Sequence, residues 1–195
     1  MSERREAGIP PSSERGPSGP APPGAVSGKG VSERRQAPGN WTWRDGPVAP
    51  GPAVVVDIDG VLSDAASRQH YLESPRRDWQ AFFDACGDDP VIEEVKVLLD
   101  LLEADLRVVL LTARPERIHH LTEAWLHHYG IRWDVLIMRG WGDYEMSRDF
   151  KQTTVHELRR YGFDLRLAFE DDRRNVEMFA REGVPCLYVH SGYYD

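Results

Sequence analysis

Residues 53–64 read Ala-Val-Val-Val-Asp-Ile-Asp-Gly-Val-Leu-Ser-Asp, an apolar run that stops abruptly on two carboxylates and a glycine. A short, nearly continuous β-branched run suits a strand buried on both faces, as in a parallel sheet. Four similar runs follow, at 108–111, 135–138, 165–169 and 186–189. Helical patterns with legible ends lie between them. Asp89-Pro90 reads as an N-cap followed by a first-turn proline, after which Val91, Val95, Leu98 and Leu102 make one apolar stripe. Pro115 opens the next helix, Ile118, Leu121, Trp125 and Tyr129 line its inner face, and Gly130 closes it. Two more helices are predicted over about 149–161, ended by Gly162, and about 173–182, ended by Gly183. Strands alternating with helices in this way predict an α/β fold, a three-layer α/β sandwich on a Rossmann-like parallel sheet.

In such sheets the chemistry gathers at the carboxyl ends of the strands. The first run ends on Asp57-Ile58-Asp59-Gly60, the second on Thr112-Ala113-Arg114 and the fourth on Glu170-Asp171-Asp172. One DxDG alone is an ordinary turn or helix cap. Five carboxylates at two strand ends are another matter, because they repel one another unless a cation sits among them, and an all-oxygen ligand set suits Mg²⁺. The chemistry that this arrangement supports is phosphoryl transfer through a carboxylate. Asp57 is placed to attack phosphorus, and Asp59, turned by Gly60, to protonate the leaving oxygen and later deprotonate water. Thr112 can hydrogen-bond a phosphoryl oxygen, and Lys151, the only lysine after Lys96, can neutralise developing charge.

Composition bounds the rest. The chain has 195 residues and a net charge of −8. Residues 1–50 carry nine of the 14 prolines and eight of the 17 glycines, with Trp41 and Trp43 as their only large apolar anchors. Such a stretch buries too little apolar surface to offset its ordering entropy, so 1–48 reads as a disordered tail and 49–195 as the folded domain. The SERR string at 2–5 and 32–35 reads as low complexity. Residues 51–195 hold 17 basic and 27 acidic residues, which argues against general coating of nucleic acid but not against a local basic groove. Two cysteines, Cys86 and Cys186, make no disulfide framework, no apolar run is long enough to span a membrane, and no signal peptide opens the chain, so a cytoplasmic setting is expected.

The strings DIDGVLSD, LLTARPE, Lys151 and AFEDDRRN resemble, in order and spacing, the four motifs of the haloacid dehalogenase (HAD) superfamily of phosphatases. RRDWQAFFDACGDDP, IMRGWGDYEMSRDFK and VEMFAREGVPCLYVHSGYYD narrow the resemblance to the 3′-phosphatase domain of phage-type polynucleotide kinase, over about residues 53–195. That resemblance implies a HAD-type sheet with a minimal cap, and an Mg²⁺-dependent phosphomonoesterase working through an aspartyl-phosphate. It implies Asp57 as nucleophile, Asp59 as acid/base, and Thr112 and Lys151 as phosphate ligands. It further implies Mg²⁺ held by the Asp57 carboxylate, the Asp59 backbone carbonyl and an acid of the fourth motif. Register from Val176, Met178 and Phe179 makes Glu170-Asp171 the acidic pair and Asp171 the better metal ligand, with Asp172 the alternative. The phage enzyme also carries a kinase half with a P-loop; this chain has no GxxxxGK[ST], so a kinase or ligase partner would be a separate protein.

The little sequence between Gly60 and Arg107 leaves an open site, which admits a nucleic-acid 3′ end. A small phosphate ester, as for a nucleotidase, is the rival substrate, and a binding module without turnover the rival class. Arg114 and Arg139, each beside a strand end, and Arg148 are the candidate substrate-binding residues. Trp79, Phe82 and Phe83 could stack a base, but their helical spacing favours a core or rim role. His119, His120, His127 and His128 read as solvated helix residues.

Overall fold

The run at Pro52–Val56 forms strand β2, and its alternate side chains feed two separate cores. Val54 and Val56 face one, Ala53 and Val55 the other, which is the period-two geometry of a strand covered on both faces. The computed structural model describes residues 36–194 apart from 74, 141, 143 and 144. The strands are β1 (Trp41–Trp43), β2, β3 (Arg107–Pro115), β4 (Val135–Arg139), β5 (Asp164–Glu170) and β6 (Cys186–Tyr188), in the sheet order β1-β4-β3-β2-β5-β6. All neighbours pair in parallel except β1, which lies antiparallel to β4 at one edge.

All five predicted strands are present. Helices α2 (Glu93–Asp100) and α3 (His119–His128) pack on the first core through Val95, Leu99, Trp125 and Leu126. Helices α4 (Ser147–Tyr161) and α5 (Arg173–Arg181) pack on the second through Phe150, Val155, Leu158, Met178 and Phe179. The α/β three-layer reading therefore holds. Gly162, in the left-handed region with φ 113°, ends α4 as predicted, donating to the carbonyls of Leu158 and Arg159. Among the described residues between β2 and β3 lie only a 3₁₀ turn (Ala65–Tyr71), the six-residue helix α1 (Trp79–Asp84), a short second 3₁₀ turn and α2, a minimal cap.

Three expectations need correcting. Asp89 does not cap α2: that helix starts at Glu93, and Asp89 is fully buried with its carboxylate turned to arginines instead. The boundary at 48/49 also falls too late. Trp41, 6 % exposed, sits among Trp43, Tyr161 and Phe163 with ring centroids 5.4–6.2 Å away, and Tyr161 donates to the Val48 carbonyl. Two tryptophans in a polar stretch are enough to dock one edge strand, because each aromatic ring buries a large apolar area. His119, read as solvated, bonds Thr42 of β1 at 3.0 Å through Nε2. The expected disorder of 1–35 lies outside the described residues. Among the described residues no helix is long and apolar enough to cross a membrane.

Candidate active site

Asp57 leaves the end of β2 just as the chain turns, and its carboxylate is fixed twice. The Ile58 backbone amide donates to Oδ1 at 2.8 Å, and Lys151 Nζ lies 2.7 Å from Oδ2. Lys151 reaches in from α4, fully buried, and its ammonium also donates to Glu170 Oε2 at 2.7 Å. Glu170 ends β5; its other oxygen accepts from Asn175 Nδ2 at 3.0 Å and from the Asp172 amide at 3.3 Å. Asp171 follows it, and its Oδ2 is buried without a hydrogen-bond partner. One oxygen from each of Asp57, Glu170 and Asp171 lies within 4.8 Å of the others. Three carboxylates thus share one ammonium.

The electrostatics follow from that shortage. Burial, then the charge of Glu170, pushes the Asp57 carboxyl up to about 8 in spite of Lys151. Burial and then Asp57 push Asp171 up to about 7. Lys151 moves the other way from a lone buried amine: burial opposes its charge, but Asp57 and Glu170 keep it protonated. Gly60, at φ 78°, is obligatory here, since a Cβ would run into Asp171 Oδ2 and lie 3.0 Å from Ser191 Cβ.

Asp59, two residues on, occupies a different environment. Arg114 donates to its Oδ1 from Nε at 3.0 Å and from NH2 at 2.6 Å, and Arg68 NH2 donates to the same oxygen. Arg68 is held in turn by Asp89, with Nε 2.9 Å from Oδ1 and NH2 2.7 Å from Oδ2. The Phe82 carbonyl accepts from its NH1 at 3.2 Å, and the Phe82 ring lies 4.1 Å below its guanidinium carbon. Ser63 donates to Asp89, and Trp125 Nε1 donates to the Asp89 carbonyl at 2.7 Å. Burial alone would raise the Asp59 pKa; Arg114 and Arg68 overcome it and hold the carboxyl at about 2. Thr112, buried in the C-terminal half of β3, accepts from the Arg114 amide at 3.2 Å, which leaves its hydroxyl proton to donate elsewhere.

The structure therefore brings together Asp57, Asp59, Thr112, Lys151 and Asp171. Asp172, the alternative metal ligand, is engaged otherwise: its Oδ1 caps α5 by accepting from the Arg174 amide at 2.9 Å, and its carboxylate holds the Arg174 guanidinium. Arg114 is no groove residue. It is fully buried and spends its donors on Asp59, Thr122 and Ser63: β3 runs on to Pro115, so Arg114 lies within the strand and its side chain goes under the site instead of beside it. Arg139 lies at the end of β4 with its Nε buried and its guanidinium carbon 5.8 Å from the Phe150 ring, and Arg148 pairs with its neighbour Asp149 at 2.8 Å. The aromatic trio divides: Phe82 is core, Phe83 half-buried, and Trp79 exposed. Sequence reading missed Arg68, Asp89 and the Lys151–Glu170 pair. Arg68 carried no pattern of its own, and Asp89 was hidden by its resemblance to a cap.

Parallel strands that end on a clamped Asp-x-Asp and an acidic pair, with a buried lysine brought in from the helix that follows β4, define the class: a HAD-type phosphatase. The family model for the polynucleotide kinase PNKP phosphatase domain matches residues 51–194, and the chain belongs to that family. Two solved structures are similar. A chain of the Pnkp1/Rnl/Hen1 RNA repair complex is 25 % identical with a TM-score of 0.61, covering 76 % of this chain and 45 % of its own length. A second structure of the Pnkp1/Rnl/Hen1 complex gives 26 % and 0.62, covering 76 % and 48 %. This chain thus spans less than half the length of either. No curated protein matches it.

Proposed function

We propose that the protein removes the 3′-phosphate from nucleic-acid ends, through an aspartyl-phosphate on Asp57 and with Mg²⁺ as cofactor. The observation that carries this reading is the Asp57–Lys151–Glu170–Asp171 cluster in a chain of the polynucleotide kinase phosphatase family. An Asp57 carboxylate oxygen bonds to phosphorus as the P–O bond to the leaving 3′-oxygen breaks. Lys151 keeps Asp57 in place and faces the charge that grows on the phosphoryl oxygens, and Thr112 donates its hydroxyl proton to one of them. Asp59 gives its proton to the departing 3′-oxygen, then takes one from the water that cleaves the acyl-phosphate. Its pKa of about 2 belongs to the site without substrate; a phosphate dianion entering beside it competes for the field of Arg68 and Arg114 and raises that value.

The donor set fits a hard divalent cation: all oxygen, one buried carboxylate oxygen without a partner, and three acids against one ammonium. Asp57 and Asp171 are the carboxylates that would hold Mg²⁺, which when bound supplies positive charge against the phosphoryl oxygens. Arg139 and Arg148 are proposed to meet upstream phosphates. The likeness to a component of an RNA repair complex supports work alongside a separate kinase or ligase.

The acidic folded domain, net −10 over residues 51–195, favours the rival reading of a nucleotidase. A panel of a 3′-phosphorylated oligonucleotide, 3′-mononucleotides and sugar phosphates separates the two. The oligonucleotide should give the higher kcat/KM, falling with salt at a slope of about −0.7 per phosphate neutralised on a single strand. Preference for mononucleotides with a flat salt response would overturn the strand-end reading. Chelation by EDTA should abolish turnover and Mg²⁺ restore it.

A further inference from the structure

Beyond β6 the chain does not leave the domain but crosses back over the site. The Val189 amide donates to the Glu170 carbonyl at 2.9 Å, Ser191 rests against Gly60, and Tyr193 Oη donates to Asp64 Oδ1 at 2.6 Å. Gly192, at φ 76°, makes the turn between those last two anchors. Residues 189–193 are thus tied at three points, to the end of β5, to the turn after β2 and to Asp64 at the start of the cap. Tyr194 follows, 49 % exposed.

Arginines accompany this aromatic edge. The Arg174 guanidinium carbon lies 5.8 Å from the Tyr194 ring centre, and that of Arg173 lies 4.8 Å from the Tyr188 ring centre. Arg174 is held in place by Asp172 at 2.7 Å while its side chain remains 70 % exposed. Aromatic faces paired with arginines are what a single strand recognises without regard to sequence, since every base has a π-face and every linkage a phosphate.

We propose that Tyr194 and Arg174 form the platform that receives the terminal nucleoside of the strand, the ring stacking on its base and Arg174 facing the next phosphate upstream. This deepens the strand-end reading and rests on it. The platform is built from residues 173–174 and 188–194, not from the cap, so the strand leaves the site over the N-terminus of α5. Tyr194 then makes no contact with the reacting phosphorus and acts on binding alone.

The test uses the full chain. Wild-type protein is assayed first on a 3′-phosphorylated oligonucleotide and on p-nitrophenyl phosphate; no preference for the oligonucleotide defeats the strand-end reading itself. Given that preference, Tyr194→Ala should raise KM for the oligonucleotide roughly tenfold with little change in kcat, the effect of removing one stacking ring. Tyr194→Phe should restore KM to within about twofold, because the ring and not the hydroxyl carries the contact. In the Asp57→Asn background, Tyr194→Ala and Arg174→Ala should each weaken binding of a fluorescent 3′-phosphorylated oligonucleotide. An unchanged KM, equal losses on both substrates, a Phe variant as weak as Ala, or faster turnover of both substrates on removing the ring would each overturn the platform while leaving the strand-end reading intact.

Discussion

Two carboxylates of one turn, Asp57 buried and Asp59 partly buried, are shifted in opposite directions. Asp57 shares a single ammonium with Glu170 and Asp171, and its carboxyl rises to about 8. Asp59 belongs to a balanced set in which two arginines, Arg68 and Arg114, face two acids, Asp59 and Asp89, and its carboxyl falls to about 2. Burial acts on both in the same direction, so the count of nearby cations decides the sign. On the function proposed above, the deficit on the Asp57 side is what a divalent cation would fill. The balance on the Asp59 side is a frame that stands without either.

The comparison breaks most sharply at Asp57. Asp57→Asn should leave less than a hundredth of wild-type turnover on any phosphate ester, since an amide forms no acyl-phosphate, while thermal stability holds or rises as one of three crowded acids is neutralised. Steady-state kinetics beside a melting curve checks both halves. The opposite pattern is expected of the balanced set. Asp89→Ala leaves the buried Arg68 with less charge to face and should cost about 3–5 kcal/mol in urea unfolding, the penalty for orphaning one partner of a buried pair. Activity would fall there through the altered setting of Asp59.

A third difference is in pH dependence. The raised carboxyls of Asp57 and Asp171 weaken the fold as they ionise, so their effect is absent below the unfolded value near 4 and grows as pH rises toward about 7 and about 8. The depressed Asp59 strengthens the fold above pH 4 and loses that contribution as pH falls toward about 2. Without divalent cation, Tm should therefore decline between pH 5 and pH 8 by a few degrees, and Mg²⁺ or Asp171→Asn should flatten the decline. A profile unchanged by either would show that the acid cluster is not short of positive charge.

Away from both networks, Trp41→Ala should lower stability by about 3 kcal/mol, as for a large core aromatic, and removing residues before Pro47 should lower it further. An unchanged Tm on truncation would return β1 to the tail. The smallest effect is expected at Arg148, exposed and paired with its neighbour: Arg148→Glu should reduce the salt slope for an oligonucleotide by about 0.7.

Much of this protein is local in its causes and was legible for that reason. Five strands announced themselves as short, nearly continuous apolar runs, α4 stopped where Gly162 could take a left-handed turn, and Asp57, Asp59, Thr112, Lys151 and Asp171 each stood at or near a strand end or helix start that spacing could locate. The missed features depend on distance in space instead of distance in sequence. Two tryptophans in a proline-rich stretch become a strand only because β4 offers an open edge to pair with. Asp89 looks like a cap until Arg68, 21 residues back, and Arg114, 25 residues on, close around it. Arg114 reads as a solvent-facing cation until packing places Asp59 against it, and Tyr194 gains a role only where the chain after β6 returns to the site. Residue identity determined which groups could carry charge, stack or turn. Tertiary structure alone decided which of them are desolvated together, and charge energies are large only there, because water no longer screens them.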